Sequence, residues 1–160
     1  MRPWYFAPAA LVVAADQLSK WLALATLEYG RPVAVLPGFN WTLLFNDGAA
    51  FSFLQGAGGW QRWLLSGLSL VISIVIVAML VRGAERARLE LGALSLILGG
   101  ALGNLVDRLR FGYVVDFIDL YAGEHHWPAF NIADAGITVG AALLVLHILR
   151  TPEPRGVRGG

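Results

Sequence analysis

Two aspartates stand in apolar surroundings. Asp116 lies in "YVVDFI", residues 113–118, and Asp134 lies in "FNIADAGITVG", residues 130–140. A carboxylate among apolar side chains is poorly hydrated, which disfavours its charged form and raises its pKa. Two such groups in one place can share a proton, one acting as base towards water while the other stays protonated. That is an acid–base arrangement able to hydrolyse a peptide bond. Taken alone, Asp134 also fits the N-cap of a helix beginning at this point. Asp119, three residues beyond Asp116, is expected to be the solvated member of the group.

Other charges read more simply. Asp16 and Lys20 in "DQLSK" are four residues apart, share a helix face, and suit a structural ion pair better than direct catalysis. Ser19 and Lys20 point about 100° apart on a helix, which argues against a serine–lysine dyad. Asp107 and Arg108 follow the glycine-rich "GGALG", whose small residues allow close helix approach. Asp107 reads as part of an interfacial charge pair, and Arg108 could orient it or meet a lipid phosphate. Glu124, His125 and His126 lack metal-site spacing and read as a solvated loop. The chain has no cysteine, which excludes disulfides, thiolate metal sites and a cysteine nucleophile.

These residues need a frame, and composition names it. Of 160 residues, 57% are hydrophobic and only 14% charged, too apolar for an ordinary soluble domain. The mean hydropathy is +0.63. The net charge of +1 implies no general attraction to nucleic acid. Residues 63–81 are an uncharged run long enough to cross a bilayer, and 89–108 and 133–150 are further candidates. Residues 4–15 resemble the apolar region of a signal peptide. Apolar character resumes after Lys20, however, so a span over 4–26 is expected instead. The reading is one domain over 1–160 with four spans, outer segments 27–62 and 109–132, and a disordered tail over 151–160. Seven of the 12 Lys and Arg residues (Arg2, Arg82, Arg86, Arg88, Arg150, Arg155 and Arg158) fall on one side, which places both termini in the cytoplasm. Asp107, Asp116, Asp119 and Asp134 then gather at the outer surface, where Asp16 and Lys20 can join them. "RPVAVLPGFNWTLLF", residues 31–45, suggests a small hairpin or sheet around Pro37-Gly38, and Asn46, Asp47 and Gly48 a turn. Trp41, Phe45, Phe51, Phe53 and Trp60 suit either interfacial anchoring or a platform for an extended or lipid-bearing ligand.

With these residues in view, the chain resembles the lipoprotein signal peptidases (signal peptidase II). "DQLSK", "NDGAAFS", "GGALGNLVDR", "VVDFID" and "FNIADAGITVG" look like that family's successive motifs, in order from Asp16 to Gly140. The resemblance implies a mainly α, polytopic membrane protein: four transmembrane helices, a small extracytoplasmic β-cradle and a short amphipathic helix. It implies an intramembrane aspartic endopeptidase of the bacterial cytoplasmic (inner) membrane. Such an enzyme removes signal peptides from prolipoproteins, cutting before a cysteine that carries diacylglycerol. By motif position Asp116 and Asp134 would be the catalytic pair. Asn104, Asp107, Arg108 and Asn131 would support them, and Asp16, Lys20, Asn46 and Gly48 match the remaining positions. Ala135 departs from the pattern, in which a small polar residue often follows the aspartate. No metal or other cofactor is expected; membrane lipids are, and the chain is expected to act as a monomer. Two rival readings are a proton- or ion-coupled transporter and a non-catalytic lipid-binding subunit. Neither accounts for the ordered motifs.

Overall fold

The computed structural model describes residues 3–48, 58–83 and 86–150. A 3-10 turn at Pro3–Phe6 leads into α1 (Ala7–Thr26), whose first turn holds Pro8 where a missing N–H costs nothing. A hairpin follows, β1 (Val33–Leu36) and β2 (Phe39–Asn46), turning at Pro37 and Gly38. Then come α2 (Trp60–Val81), α3 (Arg88–Phe111), β3 (Val114–Ala122), β4 (His125–His126) and α4 (Ile132–Arg150). Gly112 ends α3: at φ +90° it takes the left-handed conformation that closes the helix, and its N–H reaches the Arg108 carbonyl at 3.1 Å. The chain turns there directly into β3.

α3 is the central helix, packed against α1, α2 and α4. Its glycines make this possible. The Ala133 backbone of α4 occupies the space a side chain on Gly100 would need, and Asp16 of α1 lies against Gly103. α2, α3 and α4 are long and apolar enough to cross a membrane. α1 has the length, but Asp16, Gln17 and Lys20 lower its apolar character. Those polar groups turn inward, with Asp16 and Lys20 buried, while Leu11, Leu18 and Trp21 face out. α3 continues to Phe111 and carries Asp107 and Arg108 in its last two turns.

The sheet reaches further than the expected hairpin. It has four antiparallel strands in the order β1-β2-β3-β4, and β3 comes from the segment between α3 and α4. The register of β2 on β3 slips by one residue between Trp41 and Leu44. That bulge is needed. Asp116 and Asp119 point to opposite faces of β3, whereas Asn40, Thr42 and Asn46 would all share one face of a regular strand. The slip splits them, so that Asn40 and Thr42 serve Asp119 while Asn46 serves Asp116. The sheet is anchored by a cluster of Ala23 from α1 and Leu27 just beyond it, Leu43, Val115 and Phe117 from the strands, and Ile132 from α4. The short helix implied for the first outer segment is not among its described residues, and Phe51, Phe53 and the tail over 151–160 also lie outside them.

Candidate active site

A buried ionic knot lies beneath the sheet. Lys20 Nζ is 2.9 Å from Asp16 Oδ2 and 2.8 Å from Asp107 Oδ2, with all three side chains nearly inaccessible. A buried cation holding two carboxylates is tolerable only if the remaining polar valences are met. Here they are. Asp16 Oδ1 accepts the Ala133 N–H at 2.9 Å, in the first turn of α4. Asp107 accepts the Val115 N–H of β3 at 3.1 Å and the Gln17 amide at 2.9 Å. The knot thereby ties α1, α3, β3 and α4 together at one level. Asp107 is not paired with Arg108 in this arrangement; Lys20 takes it, and Arg108 donates through Nη2 to the Gly48 carbonyl at 3.2 Å. Gly48 is itself held by its N–H to Asn46 Oδ1 at 3.0 Å, an Asx turn.

Asn104 and Asn131 carry the knot's order up to the two aspartates. Asn104 accepts from Lys20 Nζ at 3.1 Å and donates to Asp134 Oδ1 at 2.7 Å. Asn131 donates to Asp116 Oδ1 at 2.7 Å and reaches Asn104 Oδ1 at 3.2 Å. Its own Oδ1 accepts the Asp134 N–H at 2.9 Å, so Asn131 is the N-cap of α4. The capping role considered for Asp134 belongs to Asn131, which leaves the Asp134 carboxylate available. Asn46 supplies Asp116 with a second donor, to Oδ2 at 3.1 Å.

Both carboxylates open onto one cavity of about 750 Å³ between α3, α4 and the sheet, which Asn46, Asn104 and Arg108 also line. Leu44, Phe45, Val114, Phe130 and Ile137 make much of its wall apolar. Asp116 is 2% exposed. Burial, reinforced by the charge of Asp134, pushes its carboxyl up to about 7, against the opposing pull of Asn46, Asn131 and Lys20. Such a group gains and loses its proton near neutrality, as acid–base work requires.

Of the residues anticipated for this site, Asp16, Lys20 and Asp107 lie in the knot, Asn104 and Asn131 in the bridge, and Asn46, Arg108, Asp116 and Asp134 in the cavity wall, while Gly48 is held by Asn46 and Arg108. Asp119 differs from expectation: it is buried at 6% exposure, and Asn40, Thr42 and His126 surround it with donors. His126 thus belongs to Asp119 and not to a free loop. Gln17 was overlooked as a site residue, although its place beside Asp16 in "DQLSK" offered a hint: a second polar residue in an apolar helix needs partners.

Comparison with known proteins bears on this geometry. Residues 8–150 match the family model for signal peptidase (SPase) II. The chain is 56% identical over 146 residues to a lipoprotein signal peptidase of Polynucleobacter necessarius, covering 91% of this chain and 89% of the relative. It is 54% identical over 136 residues to the lipoprotein signal peptidase of Acinetobacter baylyi, covering 85% and 76% respectively. A solved structure of a bacterial membrane enzyme superposes with a TM-score of 0.84 at 32% identity, over 98% of this chain and 93% of that one. With the fold, the ordered motifs and the length of these matches in agreement, the chain belongs to the signal peptidase II family.

Proposed function

We propose that this peptidase removes signal peptides from prolipoproteins by two-aspartate chemistry, with Asp116 and Asp134 as the catalytic pair and the cut placed before the diacylglyceryl-modified cysteine. The observation that carries the reading is the shared cavity: both carboxylates line it, and the Asn131–Asn104 bridge holds them in a common hydrogen-bonded frame. Asp116, with its carboxyl raised to about 7, holds the working proton below neutrality. Asp134 takes a proton from water, and the resulting hydroxide oxygen bonds to the scissile carbonyl carbon. The C–N bond then breaks as Asp116 gives its proton to the departing amine. The proton on Asp134 passes back to Asp116, which resets the pair. Asn46, Asn104 and Asn131 hold the carboxylates, Gly48 and Arg108 shape the cavity edge, and Asp16, Lys20 and Asp107 fix the elements beneath.

The membrane reading follows the same logic. α1 makes a fourth span, because its charges are satisfied inwardly and its outer face is apolar. The loop between α2 and α3 and both termini lie in the cytoplasm, which sets the sheet and cavity at the outer face of the inner membrane. The sheet shares an apolar cluster with α1 and α4, in keeping with a single domain. One chain supplies both carboxylates, in keeping with a monomer, and the substrate's acyl chains remain among membrane lipids.

The test is cleavage of a diacylglyceryl-modified prolipoprotein by purified protein in detergent, beside Asp116→Asn and Asp134→Asn. Wild type cleaves and both folded variants do not. Substantial turnover by either variant would remove it from the pair.

A further inference from the structure

The Asp119 cluster lies on the face of β3 opposite Asp116 and has no part in the chemistry above. Its geometry is nonetheless built. Asp119 Oδ2 accepts from Asn40 at 3.2 Å and Thr42 at 3.0 Å, and Oδ1 lies 2.7 Å from His126 Nδ1. Burial would push this carboxyl up, but the hydrogen bonds from His126, Asn40 and Thr42 outweigh it and hold it below the usual carboxylate range. The His126 ring stacks on Tyr121 at 5.2 Å and stays half exposed. His126 belongs to β4, which joins the sheet through only two residue pairs, Tyr121 with His126 and Ala122 with His125. So short a strand holds poorly by its backbone alone.

What β4 leads into gives the cluster its importance. Trp127, Pro128, Ala129 and Phe130 follow directly and form one wall of the catalytic cavity. Their backbone is pinned at both ends, Trp127 N–H to the Leu120 carbonyl at 2.7 Å and Phe130 N–H to the Ile118 carbonyl at 3.1 Å. The Phe130 end is held by its own pairing with β3. The Trp127 end adjoins the short β4, whose His126 side chain ties it to Asp119.

We propose that Asp119 and His126 are positioning residues, a side-chain latch that fixes the Trp127–Phe130 wall against which the substrate chain lies on its way to the aspartate pair. This rests on the peptidase reading above. The latch sets how well substrate is seated. The carboxylates keep their own supports, Asn46, Asn104 and Asn131, so loosening the wall weakens binding in ground and transition states alike. KM then rises while kcat holds. A merely structural role would act otherwise: it would lower the active fraction, and so the apparent kcat, at unchanged KM.

The charged and titratable groups at the latch are Asp119 on β3 and His126 on β4, with Tyr121 stacked on the imidazole; β2 presents the neutral Asn40 and Thr42. In Asp119→Asn the charge is lost, and a single amide oxygen stands where two carboxylate oxygens served Asn40, Thr42 and His126.

The experiment measures kcat and KM on a diacylglyceryl-modified prolipoprotein peptide carrying a fluorophore and quencher across the cleaved bond. His126→Ala raises KM about five- to ten-fold with kcat within about two-fold, and His126→Gln, which keeps a donor, restores most of the loss. Asp119→Asn, which removes the negative charge facing His126, raises KM about three- to five-fold with kcat within about two-fold. KM within about two-fold of wild type for both His126→Ala and Asp119→Asn, or a fall in kcat alone, would overturn the latch. Cleavage by wild type in the same plates keeps that result separate from failure of the peptidase reading, which would appear as no wild-type turnover.

Discussion

Asn46→Ala tests the assignment of the working proton to Asp116. The wild-type carboxyl is raised to about 7, so activity that needs this proton falls as pH rises through about 7. Asn46 donates to Asp116 Oδ2 at 3.1 Å, a bond that favours the charged carboxylate. Its removal therefore raises the pKa further, and the variant keeps activity to higher pH. A hydrogen bond to a charged group contributes about 1.5–3 kcal/mol, and this long one belongs at the lower end. About 1.4 kcal/mol corresponds to one pKa unit, and water entering from the cavity replaces part of the bond, so the alkaline limb moves up by about half to one unit. Asn46 also accepts the Gly48 N–H, and losing that contact can lower the height of the profile, but it has no means of moving the limb. The assay is the initial cleavage rate from pH 5 to 9 at saturating substrate. Asn46→Asp, which adds negative charge beside Asp116, moves the limb in the same direction and further. A limb that stays in place or shifts to lower pH in Asn46→Ala would refute the assignment, because the proton lost there would then belong to another group.

Two further substitutions probe the frame. Lys20→Met leaves Asp16 and Asp107 buried without their cation; loss of one partner from such a group costs about 3–5 kcal/mol, and a thermal-unfolding scan in detergent should show a large drop in midpoint together with loss of cleavage. Gly103→Ala places a methyl group 2.7 Å from Asp16 Oδ2, which must shift from its pairing with Lys20 Nζ. Overpacking of this kind costs about 1–3 kcal/mol, and the midpoint should fall by a smaller step than in Lys20→Met, with partial activity retained.

How much of this could be read in advance depends on the range over which each signal acts. Asp16 and Lys20 share a helix face by local geometry alone, and their ion pair is formed. The close helix approaches at Gly100 and Gly103 follow equally from the small residues of "GGALG". The hairpin turn at Pro37-Gly38 is also a local matter. The role of Asp107 was not local. Its proximity to Arg108 suggested a pair between neighbours, but adjacent helical residues diverge, and Lys20, 87 positions away, took its place. β3 was missed for a related reason. "VVDFIDLYA" is rich in strand formers, yet four consecutive residues, Val114 to Phe117, are buried, so it lacks the alternation of a half-exposed strand.

The bulge in β2 is the point where local and long-range information meet. Nothing in "NWTLLFN" demands an irregular strand, because each residue is compatible with regular extension. The demand comes from β3, where two aspartates at odd separation both need donors. A regular β2 could serve one face only and would leave the other carboxylate with the donors of Asn131 or His126 alone, at a cost of about 1–3 kcal/mol for each buried bond lost. The one-residue slip between Trp41 and Leu44 meets both needs and disturbs only the local pairing. The same slip lets one strand support two tasks: Asn46 attends the group that exchanges protons, and Asn40 and Thr42 attend the group that stays charged. A residue deleted between Trp41 and Leu44 would therefore cost one aspartate the donors that β2 supplies, whichever register the strand then adopted.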